Sequence, residues 1–312
     1  RRTWRRFYYP RRVMDAALTA ENKAQLKAWF AAQAERREAP PVEDLGFGLG
    51  TTEVFALAPE TTGALGVDFV EATKPHTLVD LGRPAPPGGV FRGGRRLAQV
   101  RVEQGMTAVG IGGVVWHSGR AMCSILPRLP EFRKFPEVRV LEVGAGTGIV
   151  GLACWLRFAK AVTLTDVPAV ADLARKNALA TVGGDALPAG LQVATHVWGQ
   201  DLSHLGPPFD VVVGSDCLYD PSVLDDLLAT LVAATDEHSV VYLGYKRRLD
   251  DRERPFFDNA RRYFATVAFS DGAEAPPEWR GSGLHVCRLS GRLGGSTAVV
   301  VKRGPPWPRS SG

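Results

Sequence analysis

Between residues 140 and 151 the chain reads VLEVGAGTGIVG, which places Glu142, Gly144, Ala145, Gly146, Gly148 and Gly151 within twelve residues. Glycines without a Cβ let a backbone approach a nucleoside closely, and a helix opening behind them offers free N–H groups. Two chemistries fit. Gly146, Gly148 and Gly151 satisfy G-x-G-x-x-G, a pyrophosphate-binding fingerprint. Glu142 to Gly148 also satisfies E-x-G-x-G-x-G, where the leading acid suits a cofactor carrying an ammonium and would repel a pyrophosphate. Asp166, 20 residues after Gly146, can grip a ribose diol in either case, so it specifies a nucleoside without naming it. Elsewhere, Trp116 and Trp198 offer aromatic faces, and Ser215, Asp216 and Tyr219 group a hydroxyl, a carboxylate and a phenol.

Those residues need a scaffold that brings them together. From Leu97 onward, apolar runs of five to seven residues alternate with helical patterns, the signature of a parallel sheet with crossover helices. The pattern predicts strands at 139–143, 161–166, 191–197, 210–215 and 239–245, with helices at about 148–158, 168–182, 221–235 and 252–264. Pro168 and Pro221 fall in first turns, where a missing N–H costs nothing. The order is that of an open, doubly wound α/β sheet, whose strand ends would carry Asp166 and the Ser215–Tyr219 group. LHVCRLS (284–290) and TAVVVKR (297–303) add one or two strands, and the pattern leaves open which closes the sheet. Upstream, a helix is expected over 20–37, capped by Thr19 and ended by Pro40 and Pro41. Residues 42–96 are rich in Gly and Pro, with strand-like pieces at 52–58 and 76–81 and a linker at 82–96. This divides the chain into an N-terminal extension (1–96), a catalytic domain (97–303) and a tail (304–312).

Three further stretches separate the two cofactor readings: GIGGVVWHSGRAMCSIL (110–126), VWGQDL (197–202) and FDVVVGSDCLYDPSVLDDLL (209–228). With the glycine loop they run in the order GVVW, E-x-G-x-G-x-G, an acid closing the second strand, WG, and D-x-x-Y. Over about residues 97–289 the chain resembles the methyltransferase family 16 group of protein-lysine methyltransferases. The resemblance implies a Rossmann-like seven-stranded sheet, S-adenosylmethionine as cofactor, and methyl transfer to a lysine of a protein substrate. It implies cofactor contacts from Trp116, Glu142, Gly144, Ala145, Gly146, Asp166, Trp198 and Ser215, with Asp216 and Tyr219 beside the transferred methyl. A tryptophan face beside a sulfonium is favourable by cation–π attraction. The fold is shared by enzymes that methylate histidine, small molecules or RNA, and a degenerate copy could persist as a binding module. That last case would be marked by loss of Glu142, Asp166 or the D-x-x-Y, and none is lost.

Composition narrows the partners. The 312 residues are 45% hydrophobic and 23% charged, which excludes a disordered, collagenous or coiled-coil chain. The net charge of +5 belongs to the start: the first fourteen residues hold six arginines and no acid, leaving 32 basic against 33 acidic residues beyond them. A near-neutral body makes nucleic acid an unexpected partner. The Arg-rich start reads as a disordered tail or the remnant of a transit segment, so an organelle stays open beside the cytoplasmic location expected. No apolar run is long enough to span a bilayer, so a soluble chain is expected. Cys123, Cys154, Cys217 and Cys287 are far apart and read as buried thiols of a reducing compartment. No spacing among cysteines and histidines suggests a zinc site, so no metal is expected.

Overall fold

Valine-rich runs bounded by Gly, Asp and Pro set the architecture, because a strand covered on both faces must be apolar at nearly every position. A computed structural model describes residues 71–72, 74–81, 99–126, 129, 131, 137–157, 159–246, 250–270 and 283–294. The expected helix at 20–37, the piece at 52–58, the linker at 82–96 and the segment at 297–303 lie outside them. In chain order the strands are β1 (His76–Asp80), β2 (Gln99–Glu103), β3 (Arg139–Val143), β4 (Ala161–Asp166), β5 (Leu191–Thr195), β6 (Val211–Ser215), β7 (Val240–Lys246), β8 (Phe264–Ser270) and β9 (Leu284–Arg292). The helices are α1 (Met106–Val109), α2 (His117–Ile125), α3 (Ile149–Leu156), α4 (Pro168–Val182), α5 (Leu224–Ala233) and α6 (Asp250–Ala260).

Seven strands form one sheet in the order β5-β4-β3-β6-β7-β9-β8. Strands β3 to β7 are parallel, whereas β9 lies antiparallel between β7 and β8. A dinucleotide-binding sheet has no such insertion, since its six strands follow the order 3-2-1-4-5-6. On one face Val140, Val213 and Tyr242 pack with α2, α3 and α4; on the other Leu141, Val212, Val241 and Leu243 pack with α5 and α6. All eight residues of α3 are buried, as its uniformly apolar sequence requires. Helix α4 starts on Pro168 and stops at the left-handed Gly183, whose N–H returns to the Leu179 carbonyl. Asp225 and Asp226 sit in the first turn of α5, where the helix dipole favours negative charge.

Two features differ from the sequence expectation. Strand β8 is absent from it because the turn that precedes β8, Arg261 to Tyr263, carries neither Gly nor Pro to announce itself. The domain edge expected at 97 cuts through an antiparallel hairpin, since β1 pairs with β2 from His76↔Glu103 to Asp80↔Gln99. Val79 and Leu81 are 0% exposed in the same core as β3. Arg120 of α2 holds β1 by donating to the Leu78 carbonyl (2.7 Å) and Thr77 Oγ1 (2.6 Å). A chain beginning at Leu97 loses both buried side chains and strips a partner from Val100 and Val102. Its melting midpoint is expected to fall by roughly 10 °C against the full chain in differential scanning calorimetry; unchanged melting would show the hairpin to be dispensable.

Candidate functional site

The chain leaves β3 toward β4 and β5, then returns across β3 to build β6 and β7. The carboxyl ends of β3 and β6 therefore flank a topological switch point, where an open α/β sheet leaves a crevice for a ligand. Four of the sequence motifs end there: the glycine loop after β3, Asp166 closing β4, Trp198 after β5, and Ser215 to Tyr219 after β6.

The glycine loop is pressed from two sides. Gly144 and Gly146 take φ values of 60° and 58°, and both are partly exposed. A Cβ on Gly144 would stand 2.8 Å from Trp198 Cζ2, and one on Gly146 would stand 2.9 Å from the Gly112 carbonyl oxygen. Neither contact leaves room for a side chain, so bare backbone faces the crevice. Ala145 is buried, its N–H given to the Thr165 carbonyl (2.9 Å) and its carbonyl accepting from Gly148 N–H (2.7 Å), so it shapes the loop from within. Asp166 accepts from Gly146 N–H (2.8 Å) and Val167 N–H (2.7 Å). It does not cap α4, whose cap residue is Val167. Burial raises its carboxyl above the usual range, against those two hydrogen bonds.

Glu142 departs from the expected contact with an ammonium group. It is 0% exposed and faces α3 behind the loop, where Oε2 accepts from Gly151 N–H at 2.8 Å. A side chain with no exposed surface does not reach the crevice. Its work is to hold the start of α3, and Gly151 must be small because a Cβ would stand 2.7 Å from Oε2 and 2.1 Å from Leu164 Cδ2. Oε1 has no hydrogen-bond partner among the described residues, and burial pushes the carboxyl up to about 8.

The two tryptophans are half-buried and differently held. Trp116 precedes α2 and donates its indole N–H to the Ile111 carbonyl at 3.0 Å, across the Gly110–Gly113 turn. Trp198 lies on Gly144, and the turn that carries it is fixed by Thr230 of α5, whose hydroxyl accepts from Gly199 N–H (2.9 Å) and donates to the Asp226 carbonyl (3.0 Å). Thr230 is buried and is invisible to motif reading, because a threonine within an apolar helix looks like ordinary packing. Gln104 and Asn177 are also missing from the sequence reading. Asp201 stays local, exposed and bonded to Ser203.

After β6 the backbone turns sharply. Asp216 has φ 56°, the sole positive φ of a non-glycine residue among the described residues. Aspartate tolerates this region better than most side chains, yet the conformation is strained, and such strain gathers at functional sites. Its N–H is tied to the Gly244 carbonyl (2.8 Å), and the residue is 7% exposed. Asp216 caps no helix; Asp220 does that, accepting from Ser222 N–H at 2.9 Å. Ser215 is half-buried against α2, where Gly119 lets the helix approach its Oγ. Tyr219 is partly exposed, and burial pushes its phenol well above the ordinary value, so the hydroxyl stays protonated.

The partly exposed backbone at Gly144 and Gly146, the Asp166 carboxylate and the Trp198 face fit a nucleoside, with Ser215, Asp216 and Tyr219 at the far side of the same crevice. No group of three metal-ligating side chains occurs among the described residues.

Glu142 also gives the stability a pH dependence of known sign. The folded chain holds a proton there up to about pH 8, while the unfolded chain releases it near 4.5. The folded state binds the extra proton between those values, so stability falls as pH rises from about 5 to about 8. Glu142→Gln keeps an acceptor for Gly151 and removes the charge. Its melting midpoint is expected to drop less between pH 6 and pH 8.5 than that of the wild type, and parallel curves would reject the assignment.

The geometry agrees with what known proteins resemble. A family model described as lysine methyltransferase matches residues 96–263, a little over half of the chain. The chain is 28% identical over 169 residues to protein N-lysine methyltransferase METTL21A of Xenopus tropicalis, covering 54% of this chain and 75% of that protein. It is 31% identical over 170 residues to EEF1A lysine methyltransferase 3 of the same species, covering 54% and 73%. With METTL21A of Mus musculus the identity is 30% over 167 residues, covering 53% and 74%. On these matches the chain belongs to the lysine methyltransferase family.

Proposed function

We propose that this protein transfers a methyl group from S-adenosylmethionine to the ε-amine of a lysine in another protein. The observation that carries the reading is the meeting, at one switch-point crevice, of a side-chain-free loop, the ribose-competent Asp166 and the strained Asp216 with Tyr219. S-adenosylmethionine, when bound, would supply an electrophilic methyl carbon on a sulfonium: a correctly aligned neutral amine would form the N–C bond as the C–S bond breaks, and the sulfur would leave as the thioether of S-adenosylhomocysteine. Gly144, Gly146 and Asp166 would hold the nucleoside, Trp116 and Trp198 would wall it, and Ser215 would close its edge.

The remaining task is to present a neutral amine. A lysine has a reference pKa near 10.4, so only about one amine in a few thousand is free at pH 7. Desolvation beside the half-buried tryptophans and Tyr219 lowers that value. Asp216 would orient the amine and accept its proton, while Tyr219, its hydroxyl kept protonated by burial, would offer an oxygen lone pair and one wall of the channel. The four cysteines are free and buried, which suits the reducing cytoplasm as the place of action.

Asp216→Ala and Tyr219→Phe are each expected to lower methyl transfer by about 100-fold or more while leaving S-adenosylmethionine binding near wild type. Asp216→Asn separates the two properties of that residue, since asparagine keeps the left-handed backbone and lacks the charge. If Asp216→Ala and Tyr219→Phe both transfer methyl at the wild-type rate with cofactor bound, the role assignment is wrong. The acceptor is tested by labelling a cell extract with tritiated methyl groups. Label is expected to be released by protease and to survive ribonuclease; the reverse pattern would replace protein with RNA.

A further inference from the structure

Two buried amides outside the motifs tie the residue before Trp116 and the glycine loop to the end of the β1–β2 hairpin. Gln104, at the end of β2, is 6% exposed. Its Oε1 accepts from Val115 N–H at 2.9 Å, and its Nε2 donates to the carbonyls of Glu71 (2.7 Å) and Lys74 (3.1 Å). Asn177 of α4 is 1% exposed. Its Oδ1 accepts from Glu103 N–H (2.7 Å), and its Nδ2 donates to the carbonyls of Glu103 and Thr147, each at 3.0 Å. Val115 immediately precedes Trp116, and Thr147 lies inside the glycine loop. A continuous path therefore runs from Val115 through Gln104, Glu103 and Asn177 to Thr147. The hairpin end adds two backbone bonds, Gln104 N–H to the Pro75 carbonyl (2.8 Å) and Gly105 N–H to the Gly113 carbonyl (2.9 Å).

We infer that Gln104 and Asn177 are positioning residues of the cofactor site, fixing the spacing between the tryptophan wall and the glycine loop. A bond made only for stability could end on any backbone group of the domain. These end on the residue before Trp116 and inside the glycine loop, two segments that meet where the Gly112 carbonyl lies against Gly146. The amide side chain suits the task, since one neutral group both donates and accepts and its burial leaves no charge to desolvate. The inference places Glu71 and Lys74, upstream of the family match, in the mounting of the cofactor site.

This rests on S-adenosylmethionine as the cofactor, and the test keeps the two claims apart. Binding of S-adenosylmethionine is measured by calorimetry on the full chain and on Gln104→Met, Asn177→Ala and Lys176→Met, with amide hydrogen exchange at Val115. Lys176→Met is the control, because it breaks only the exposed Lys176–Glu103 ion pair (2.7 Å) between the same two elements. Gln104→Met and Asn177→Ala are each expected to weaken binding about tenfold, the effect of an unsatisfied buried N–H or C=O. KM for the cofactor should rise in proportion, kcat at saturating cofactor should stay within about twofold, and Val115 should lose exchange protection in Gln104→Met. Lys176→Met should match the wild type throughout. Should Gln104→Met melt below the assay temperature, Asn177→Ala decides alone: about a tenfold loss of affinity supports the inference and wild-type affinity overturns it. Wild-type affinity in both Gln104→Met and Asn177→Ala, with lowered melting alone, overturns the inference. Absence of binding by the wild type sinks the cofactor reading instead.

Discussion

The site depends on one constraint: the backbone at residues 144–146 lies between Trp198 on one side and Gly112 on the other, with no space for a side chain at Gly144 or Gly146. Each neighbour needs its own support. Trp198 stays in place because Thr230 grips the next N–H from α5, and Gly112 stays because its turn is tied to Gly105 and to Trp116. The loop thereby turns two distant pieces of sequence into the walls of a single crevice.

Polar groups inside the core do most of this holding, and they are unevenly satisfied. Gln104, Asn177 and Thr230 spend their hydrogen-bonding capacity on loop backbone, and Thr165 donates to the Glu142 carbonyl at 2.7 Å. Glu142 is half-satisfied and Asp216 is strained. Both departures from local preference lie within the first two residues beyond, or the last two residues of, the strands that border the switch point. Natural chains concentrate such violations where function requires a fixed geometry and offset them through packing elsewhere. The offset here is visible in α3 and in the strand interiors, where Val140, Val143, Val150, Leu152, Val212 and Val213 are fully buried.

Much of the catalytic half was legible from sequence because its signals are local. Strand β4 and helix α4 fall on the expected residues, since a valine-rich run and a proline at the first turn depend on no distant partner. Asp166 and the Ser215–Tyr219 group land at strand ends for the same reason. What stayed illegible is long-range. The β1–β2 pairing joins strands across a Gly- and Pro-rich stretch, Gln104 and Asn177 look like surface amides until folded, and the burial of Glu142 follows from which way one residue of β3 faces. Motif spacing pointed to Glu142 without showing that it lies buried behind the loop against Gly151.

Charge distribution sets the final constraint on how the crevice handles an amine. Between Lys176 and Lys246 the sequence has nine acidic residues and no Lys or Arg, although the whole chain carries +5. Five of them, Asp201, Asp216, Asp220, Asp225 and Asp226, follow the carboxyl ends of β5 and β6 and give that edge of the sheet a local negative field, while the other four precede strands at the opposite edge. Such a field draws an ammonium inward, yet it also holds the proton on. Recruitment and activation therefore pull in opposite directions, and only burial at the end of the path reverses the balance, because desolvation penalises the charged amine. In the proposed methyl transfer, Asp216, 7% exposed beside the partly exposed Asp220 and Asp225, would be where the two effects meet, the outer acids attracting the ammonium and the buried turn stripping water from it.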